Sequence, residues 1–334
     1  GIGCLFWFAQ ELDWVGLKTE LLRVKGPWVI LACLLILLEF VLRAFRWKIL
    51  LLPLEKKEGL RAKISDLFIS QVIGGTLNTI LPLRMGEIAK PTIVSNRSKL
   101  PFWSITATSI MERVYDLFGM VFLLIFMVLF LQPNLTVPPE EQVLIDNLQF
   151  YGGIFGSIAL TCMGIFFFLA SRQQNSRHIF ETILSIAPRP IQRFFLHLFD
   201  GFINGLGNTK DIKGIWISGL ISVGIWLNGA LAIFALFQAF ELDLPFGAAC
   251  FVSVAIALTV ALPQAPGFVD VFHVAIEKTL VLWGQSLLAA KGFALIFWAV
   301  SFLPVSLLGI LFFAREKLNI SELIERERSL QSKE

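Results

Sequence analysis

Apolar residues fill this chain in runs about as long as a membrane-crossing helix, with polar residues gathered between them. A helix needs roughly 18 or more mostly apolar residues to cross the ~30 Å hydrocarbon layer. The spans read in this way are 28–45, 103–131, 150–170, 215–240 and 293–314. Residues 1–9 are apolar but too few to cross, and they read as the tail of a first transmembrane helix whose beginning precedes this sequence. No basic n-region or small-residue cleavage site accompanies them, so a signal peptide is not expected. Two further apolar stretches, 66–94 and 246–283, are each broken by Pro and Gly.

The two breaks share a pattern. Leu81-Pro82-Leu83-Arg84-Met85-Gly86 and Leu262-Pro263-Gln264-Ala265-Pro266-Gly267 both read LPxxxG, 181 residues apart. The approaches match as well, with Phe68, Ser70 and Thr76 set against Phe251, Ser253 and Thr259. Breaks at Pro82, Gly86, Pro263, Pro266 and Gly267 free backbone polar groups, which membrane depth tolerates only beside protein or a polar cavity. Interrupted segments at corresponding places in two halves are the pattern of a transport site near the bilayer midplane.

Charge sets an expected orientation. Residues 43–63 carry seven Lys/Arg, 84–99 four, 172–213 six and the tail after Ala314 five. The stretches 132–149 and 241–246 carry acids and no base. By the positive-inside rule the basic set is cytoplasmic and the acidic set faces outward. Segment 66–94 then dips in from the cytoplasm and 246–283 from the opposite face. The expected architecture is a single all-α integral membrane domain over 1–334. It is a polytopic bundle in which re-entrant hairpins 66–94 and 246–283 form an inverted repeat. The competing topology makes each half-hairpin a full span. Segment 172–212 is expected to be a cytoplasmic amphipathic linker, because apolar residues from Ile191 to Leu206 fall on one helical stripe behind Pro190. Residues 315–334 form a short charged cytoplasmic tail.

Ionisable residues inside apolar sequence are the candidate chemistry, since each is costly at membrane depth unless paired. Glu112, Arg113 and Asp116 lie in the middle of span 103–131. Asn78, Arg84, Glu87 and Lys90 gather around the first break. Arg84 can hold a phosphate bidentately, and Glu87 can neutralise Arg84 or Arg113 when no ligand is bound. Asp270 and His273, with Glu277, follow the second break. His273 has the chemistry to couple transport to protons, or to form a plain hydrogen-bonded pair with Asp270. Glu39 and Arg43, four apart near a span end, read as an ion pair. An ion-paired brace holding the broken segment is the purely structural reading of the 112–116 cluster.

Composition narrows the classes. Hydrophobic residues make up 56% and charged residues 16%, and the net charge of +3 gives no reason to expect nucleic acid. Cys4, Cys33, Cys162 and Cys250 all sit in apolar runs without CxxC spacing, so neither disulfide nor metal is expected. No nucleophile–base set or phosphate loop is present in the sequence, and neither an enzyme nor a cofactor is expected. The site is expected to be a transport site in which Arg84 can hold a phosphate. An ion-coupled solute transporter and a non-transporting, lipid-presenting partner remain as alternatives, and self-association into a homo-oligomer is left open.

The order of motifs resembles the flippase-like transmembrane region of lysylphosphatidylglycerol synthases. It runs Arg43-x-x-Arg46-Trp47, Asn78-x-x-x-Pro82-x-Arg84-x-Gly86-Glu87, Glu112-Arg113-x-x-Asp116, then Pro266-Gly267 with Phe272. The resemblance covers essentially the whole chain. It implies an inner-membrane protein that moves lipids between leaflets, among them aminoacylated phosphatidylglycerol or polyprenyl-linked sugars. Bifunctional members carry a soluble aminoacyl-transferase domain next, whereas 20 residues follow Ala314 here, so lipid aminoacylation by this chain is not expected. Many relatives read PGGxGxxE at the second break, where this chain has Phe268, Asp270 and His273 in place of Gly, Gly and Glu. Lys90 stands where Arg is commoner. These departures bear on the substrate more than on the scaffold.

Overall fold

In the computed structural model, residues 14–81, 84–130, 212–260 and 269–316 are described. Among them the fold is all helix: α1 (Trp14–Arg23), α2 (Gly26–Glu58), α3 (Ile64–Ile80), α4 (Gly86–Ser98), α5 (Phe102–Phe130), α6 (Ile212–Ala239), α7 (Phe246–Val260), α8 (Val269–Leu282) and α9 (Leu287–Glu316). The expected span 150–170, the linker 172–212 up to α6, most of the tail, Pro82 and the second break at Pro263, Pro266 and Gly267 lie outside the described residues.

Among the described residues three helices, Gly26–Glu58, Lys213–Ala239 and Leu287–Arg315, are long and apolar enough to cross a membrane. Helix α5 has 29 residues but carries Glu112, Arg113 and Asp116 in its middle. Helices α3, α4, α7 and α8 have 17, 13, 15 and 14 residues. At 1.5 Å per residue that is about 20–25 Å, less than the ~30 Å hydrocarbon layer.

Helix α2 extends well past the expected end of its span at residue 45. Pro27 in its first turn suits helix initiation, and the helix tolerates Pro53 and stops at Gly59, whose φ of 68° is a left-handed C-cap. Arg43 and Arg46 therefore sit in the helix interior rather than in a flanking loop. Helix α9 begins six residues earlier than the expected span, which brings Lys291 inside it, 8% exposed.

Contacts at the helix ends show which termini lie together. Arg97 pairs with Asp66, so the outer ends of α3 and α4 meet. Asn78 Nδ2 donates to Glu87 Oε1 at 3.1 Å near their inner ends, so the two helices fold back on one another. Gly74 and Gly86 make that approach close enough that a Cβ on Gly86 would overlap the Gly74 carbonyl oxygen. Phe68 meets Phe312 edge-on at 6.2 Å, placing the C-terminal part of α9 at the same end of the bundle. At the other end, Lys25 N–H donates to the Ala239 carbonyl at 2.9 Å and Lys25 Nζ lies 2.6 Å from Glu241 Oε1. That hydrogen bond and charge hold the exposed Glu241 carboxyl below its ordinary value. Phe246, which opens α7, packs edge-on against Phe126 and Phe234.

The main apolar core joins α2, α6, α7, α8 and α9 through Ile36, Phe237, Ala249, Phe272, Leu280 and Phe293. A second core, with Trp47, Leu51, Leu67 and Ile105, ties α2 to α3 and α5. Between these two cores lies the polar site.

Candidate functional site

Each charge within the bundle needs a counter-charge, and the helices supply one in alternation. The most buried are Arg46, Glu112 and Lys90, at 0%, 2% and 4% exposure. Lys90 Nζ lies 3.0 Å from Glu112 Oε2 and 5.2 Å above the Trp47 ring. Gln71 Nε2 donates to both Glu112 oxygens at 2.8 and 3.1 Å. Arg46 Nη2 lies 3.7 Å from Glu112 Oε1, while Arg46 Nη1 donates to Asp116 Oδ1 at 2.7 Å and to Ser222 Oγ at 2.8 Å. Asp116 Oδ2 accepts from Arg43 and from Arg113, each at 3.2 Å. Arg43 also donates twice to Glu39 Oε1, at 3.0 and 2.7 Å, and Arg113 pairs with Glu87.

This chain runs across α2, α4 and α5. It holds four cations (Arg43, Arg46, Lys90, Arg113) and four anions (Glu39, Glu87, Glu112, Asp116). A balanced, hydrogen-bonded set offsets the desolvation that a lone charge would suffer, and removing one member exposes that cost.

Arg84 stands outside the chain. Its φ of 54° is left-handed, which a non-glycine residue adopts rarely and typically at a tight turn. From there Nη2 donates to the Val260 carbonyl at 2.6 Å. Val260 is the last residue of α7, where helix carbonyls lack intrahelical partners. One bond thus joins the inner end of the α3–α4 pair to the inner end of α7. Among the described residues Arg84 is the cavity-lining cation without a carboxylate partner.

A cavity of about 570 Å³ occupies this meeting point. Its lining mixes charged and polar side chains (Arg43, Asn78, Arg84, Glu87, Lys90, Arg113 and Asp116) with apolar ones (Phe40, Leu117, Met120, Ile256, Val260 and Phe272). A second cavity of about 210 Å³ shares Glu39, Phe40, Gly229, Ser253, Ile256, Phe272 and Ser301 with it and adds Ile36, Ile233 and Phe297. The charged residues other than Glu39 line only the larger cavity, and the three residues that the smaller one adds are all apolar.

Six of the residues singled out in the sequence line the larger cavity: Asn78, Arg84, Glu87, Lys90, Arg113 and Asp116. Glu112 lies behind Lys90, and the Lys90 ammonium is directed to it rather than into the open space. His273 is buried beside Phe272 and Trp298, with ring centroids 5.9 and 6.3 Å away, and is not among the lining residues. Asp270 belongs to the first turn of α8, and its side chain lies outside the described residues. Glu39 and Arg43, read from sequence as a plain ion pair, both line the cavity, and Arg43 reaches Asp116. Arg46, Gln71 and Ser222 complete the network. The available signal for Arg43 and Arg46 was their helical spacing next to an apolar run, which places two guanidinium groups within reach of one buried acid. Among the described residues no group of three or more His, Cys, Asp or Glu is placed to hold a metal.

The sequence of a "UPF0104 membrane protein" from Methanothermobacter thermautotrophicus (strain Delta H) is 22% identical over 317 residues, covering 90% of this chain and 87% of the relative. No solved structure matches. Residues 1–309 match the model of the lysylphosphatidylglycerol synthase TM region, and the chain is a membrane protein belonging to that family.

Proposed function

We propose that this chain moves an anionic lipid between leaflets of the inner (cytoplasmic) membrane, with its basic loops and C-terminus on the cytoplasmic side. In this reading α3–α4 and α7–α8 are two re-entrant hairpins of opposite sense, an inverted repeat whose tips meet at the site. Their lengths, too short to cross, support it, as do the Arg97–Asp66 contact at one end of the bundle and the Phe246 packing at the other.

The observation that carries the proposal is the polarity of the joined cavity. A lipid has a charged head and an apolar tail, and the space offers Arg84 in its larger part and adds only Ile36, Ile233 and Phe297 in its smaller. With the inner network neutral, Arg84 leaves the site one positive charge in excess. A phosphodiester supplies one negative charge and can displace the Val260 carbonyl from the guanidinium. Glu39 and Glu87, both lining the cavity, keep the paired cations in place when the lipid leaves.

The test is leaflet exchange of fluorescent anionic phospholipids in proteoliposomes, wild type against Arg84→Ala. Arg84 is exposed to the cavity and outside the buried network, so its loss should spare folding while reducing exchange at least about tenfold, the scale of a charge-assisted hydrogen bond. Unchanged exchange in the variant would remove Arg84 from the site. Absence of exchange by the wild type would overturn translocation; solute uptake under an ion gradient would then identify a solute carrier, and lipid binding alone a lipid-presenting partner.

A further inference from the structure

Far from the cavity, the end of the bundle where α2 stops, α3 starts, α4 stops and α5 starts is held as one unit. Leu54 of α2, Ala62, Leu67 of α3, Val94 of α4 and Leu100 just before α5 pack in the second core. The turn between α2 and α3 is pinned from beneath. Glu55, 7% exposed, accepts the Ala62 N–H at 2.7 Å and Lys48 Nζ at 2.6 and 2.7 Å. Lys48 Nζ also donates to the Ala62 carbonyl at 2.8 Å. Asp66, at the start of α3, is taken by Arg97 near the end of α4. Both acids are thereby occupied within the fold.

The outer surface of this pinned end is basic. Lys56, Lys57, Arg61, Lys63 and Lys99 are all exposed, and none pairs with a carboxylate among the described residues. Glu58 is the exposed acid beside them, so five positive charges face one negative. Apolar side chains stand among these cations rather than beneath them. Leu60 adjoins Arg61, Ile64 adjoins Lys63, and Trp103 follows Lys99 by four residues, at 37%, 39% and 52% exposure.

The helices also give this surface a depth. The 2.7 Å bond from Arg46 to Asp116 sets one level in α2 and α5. Toward the basic end, Lys57 stands eleven residues beyond Arg46 and Trp103 thirteen before Asp116. At 1.5 Å per residue these are about 17 and 20 Å along the helices. With the charged network near the bilayer midplane, as in the functional proposal, the cations and Trp103 fall in the headgroup layer, which begins about 15 Å from the centre. Tryptophan favours that boundary, and Lys and Arg there attract anionic lipids.

We infer that this collar is a docking surface for the anionic headgroups of one leaflet, separate from the cavity. It rests on the midplane placement of the network, not on translocation. Recognition is by charge at a fixed depth, so lipids with a net negative headgroup gather here and zwitterionic ones do not. An acidic soluble protein would match the charge, but it would have to enter the headgroup layer to cover Ile64 and Trp103. The membrane's own anionic lipid is the occupant that meets both features at once.

The experiment reads lipids next to Trp103. The full chain is reconstituted in phosphatidylcholine vesicles containing an equal fraction of either phosphatidylglycerol or phosphatidylcholine with brominated chains, which quench nearby tryptophan. The Trp103 signal is the difference between the protein and its Trp103→Phe variant. Brominated phosphatidylglycerol should quench Trp103 as if enriched about fivefold or more, the scale of one Lys or Arg beside an anionic surface. Phosphatidylserine should do the same, and 1 M salt should bring both near one. Arg61→Ser/Lys63→Ser/Lys99→Ser should abolish the enrichment, whereas Arg61→Lys/Lys63→Arg/Lys99→Arg should keep it, which separates lost charge from lost fold. Arg84→Ala should keep it too. Equal quenching by the two brominated lipids overturns the collar, as does enrichment that survives the serine variant. Loss of the enrichment in Arg84→Ala would move the signal to the cavity and overturn it as well. Binding of polyglutamate in detergent without any lipid enrichment would make the occupant an acidic protein instead. Enrichment without leaflet exchange leaves the collar standing and fails only the transport reading.

Discussion

The two stretches that share LPxxxG do opposite things with matching residues. Ser70 and Ser253 follow Phe68 and Phe251 at the same spacing, yet Ser70 Oγ is buried and donates to the Lys90 carbonyl at 2.8 Å, while Ser253 opens onto the cavity. Thr76 donates both to the Val72 carbonyl and across to the Val305 carbonyl in α9, while Thr259 donates to the Ala255 carbonyl of its own helix. In the first of the two stretches α4 contributes Glu87 and Lys90 to the charged network, and the Arg97–Asp66 and Asn78–Glu87 contacts tie α4 to α3. Helix α7 is apolar and contributes Ser253, Ile256, Ala257 and Val260 to the wall of the same space. Matching residues in the two stretches thus meet different neighbours, which decide which stretch is tied to the bundle and which opens onto the cavity.

The strongest way to break this contrast is to unbalance the fixed half. Asp116 accepts from Arg43, Arg46 and Arg113. Asp116→Asn should destabilise the protein by about 3–5 kcal/mol, since it leaves Arg46 fully buried with only Glu112 opposite, at 3.7 Å. Thermal unfolding in detergent measures this. Adding Arg113→Gln should recover part of the loss, because Arg113 is the most exposed of the three guanidinium groups and its removal restores the charge count. No recovery would show that geometry, not net charge, holds the network together.

Gly86→Ala comes next. Its Cβ would overlap the Gly74 carbonyl and meet Asn78 Oδ1, so backbone must move; about 3 kcal/mol is expected. A much smaller loss would mean that α3 and α4 can separate without disturbing the network, and that their fixed character is weaker than their contacts imply.

The sequence carried most of the bundle because long apolar runs have one solution in a membrane. Span 103–131 and helix α5 agree to within a residue at each end, and both broken stretches appear as paired short helices. The candidate cluster was legible wherever an acid or base interrupted such a run, as at Glu112, Arg113 and Asp116. Arg43 and Arg46 were harder to place because charge at the end of an apolar run usually marks the membrane surface, whereas here the helix continues to Glu58. His273 stood out as a titratable group after the second break, but helix α8 turns it toward Trp298. The open hydroxyls of Ser253 and Ser301 had no sequence signal, since whether a helical serine bonds its own backbone or a cavity depends on its neighbours in space.

The finest test compares the two equivalent serines directly. Ser70→Ala removes a buried hydroxyl and leaves the Lys90 carbonyl without its cross-helix donor; a loss of about 1 kcal/mol is expected. Ser253→Ala removes a hydroxyl that bonds nothing in the described protein, so its stability should change by no more than about 0.5 kcal/mol. The same pair should reverse order in lipid binding, because Ser253 lines the cavity whereas Ser70 acts only through the position of Lys90. Equal stability losses would show that Ser253 has a structural partner, and the division into a fixed and an open half would fail at the residue where it is most sharply drawn.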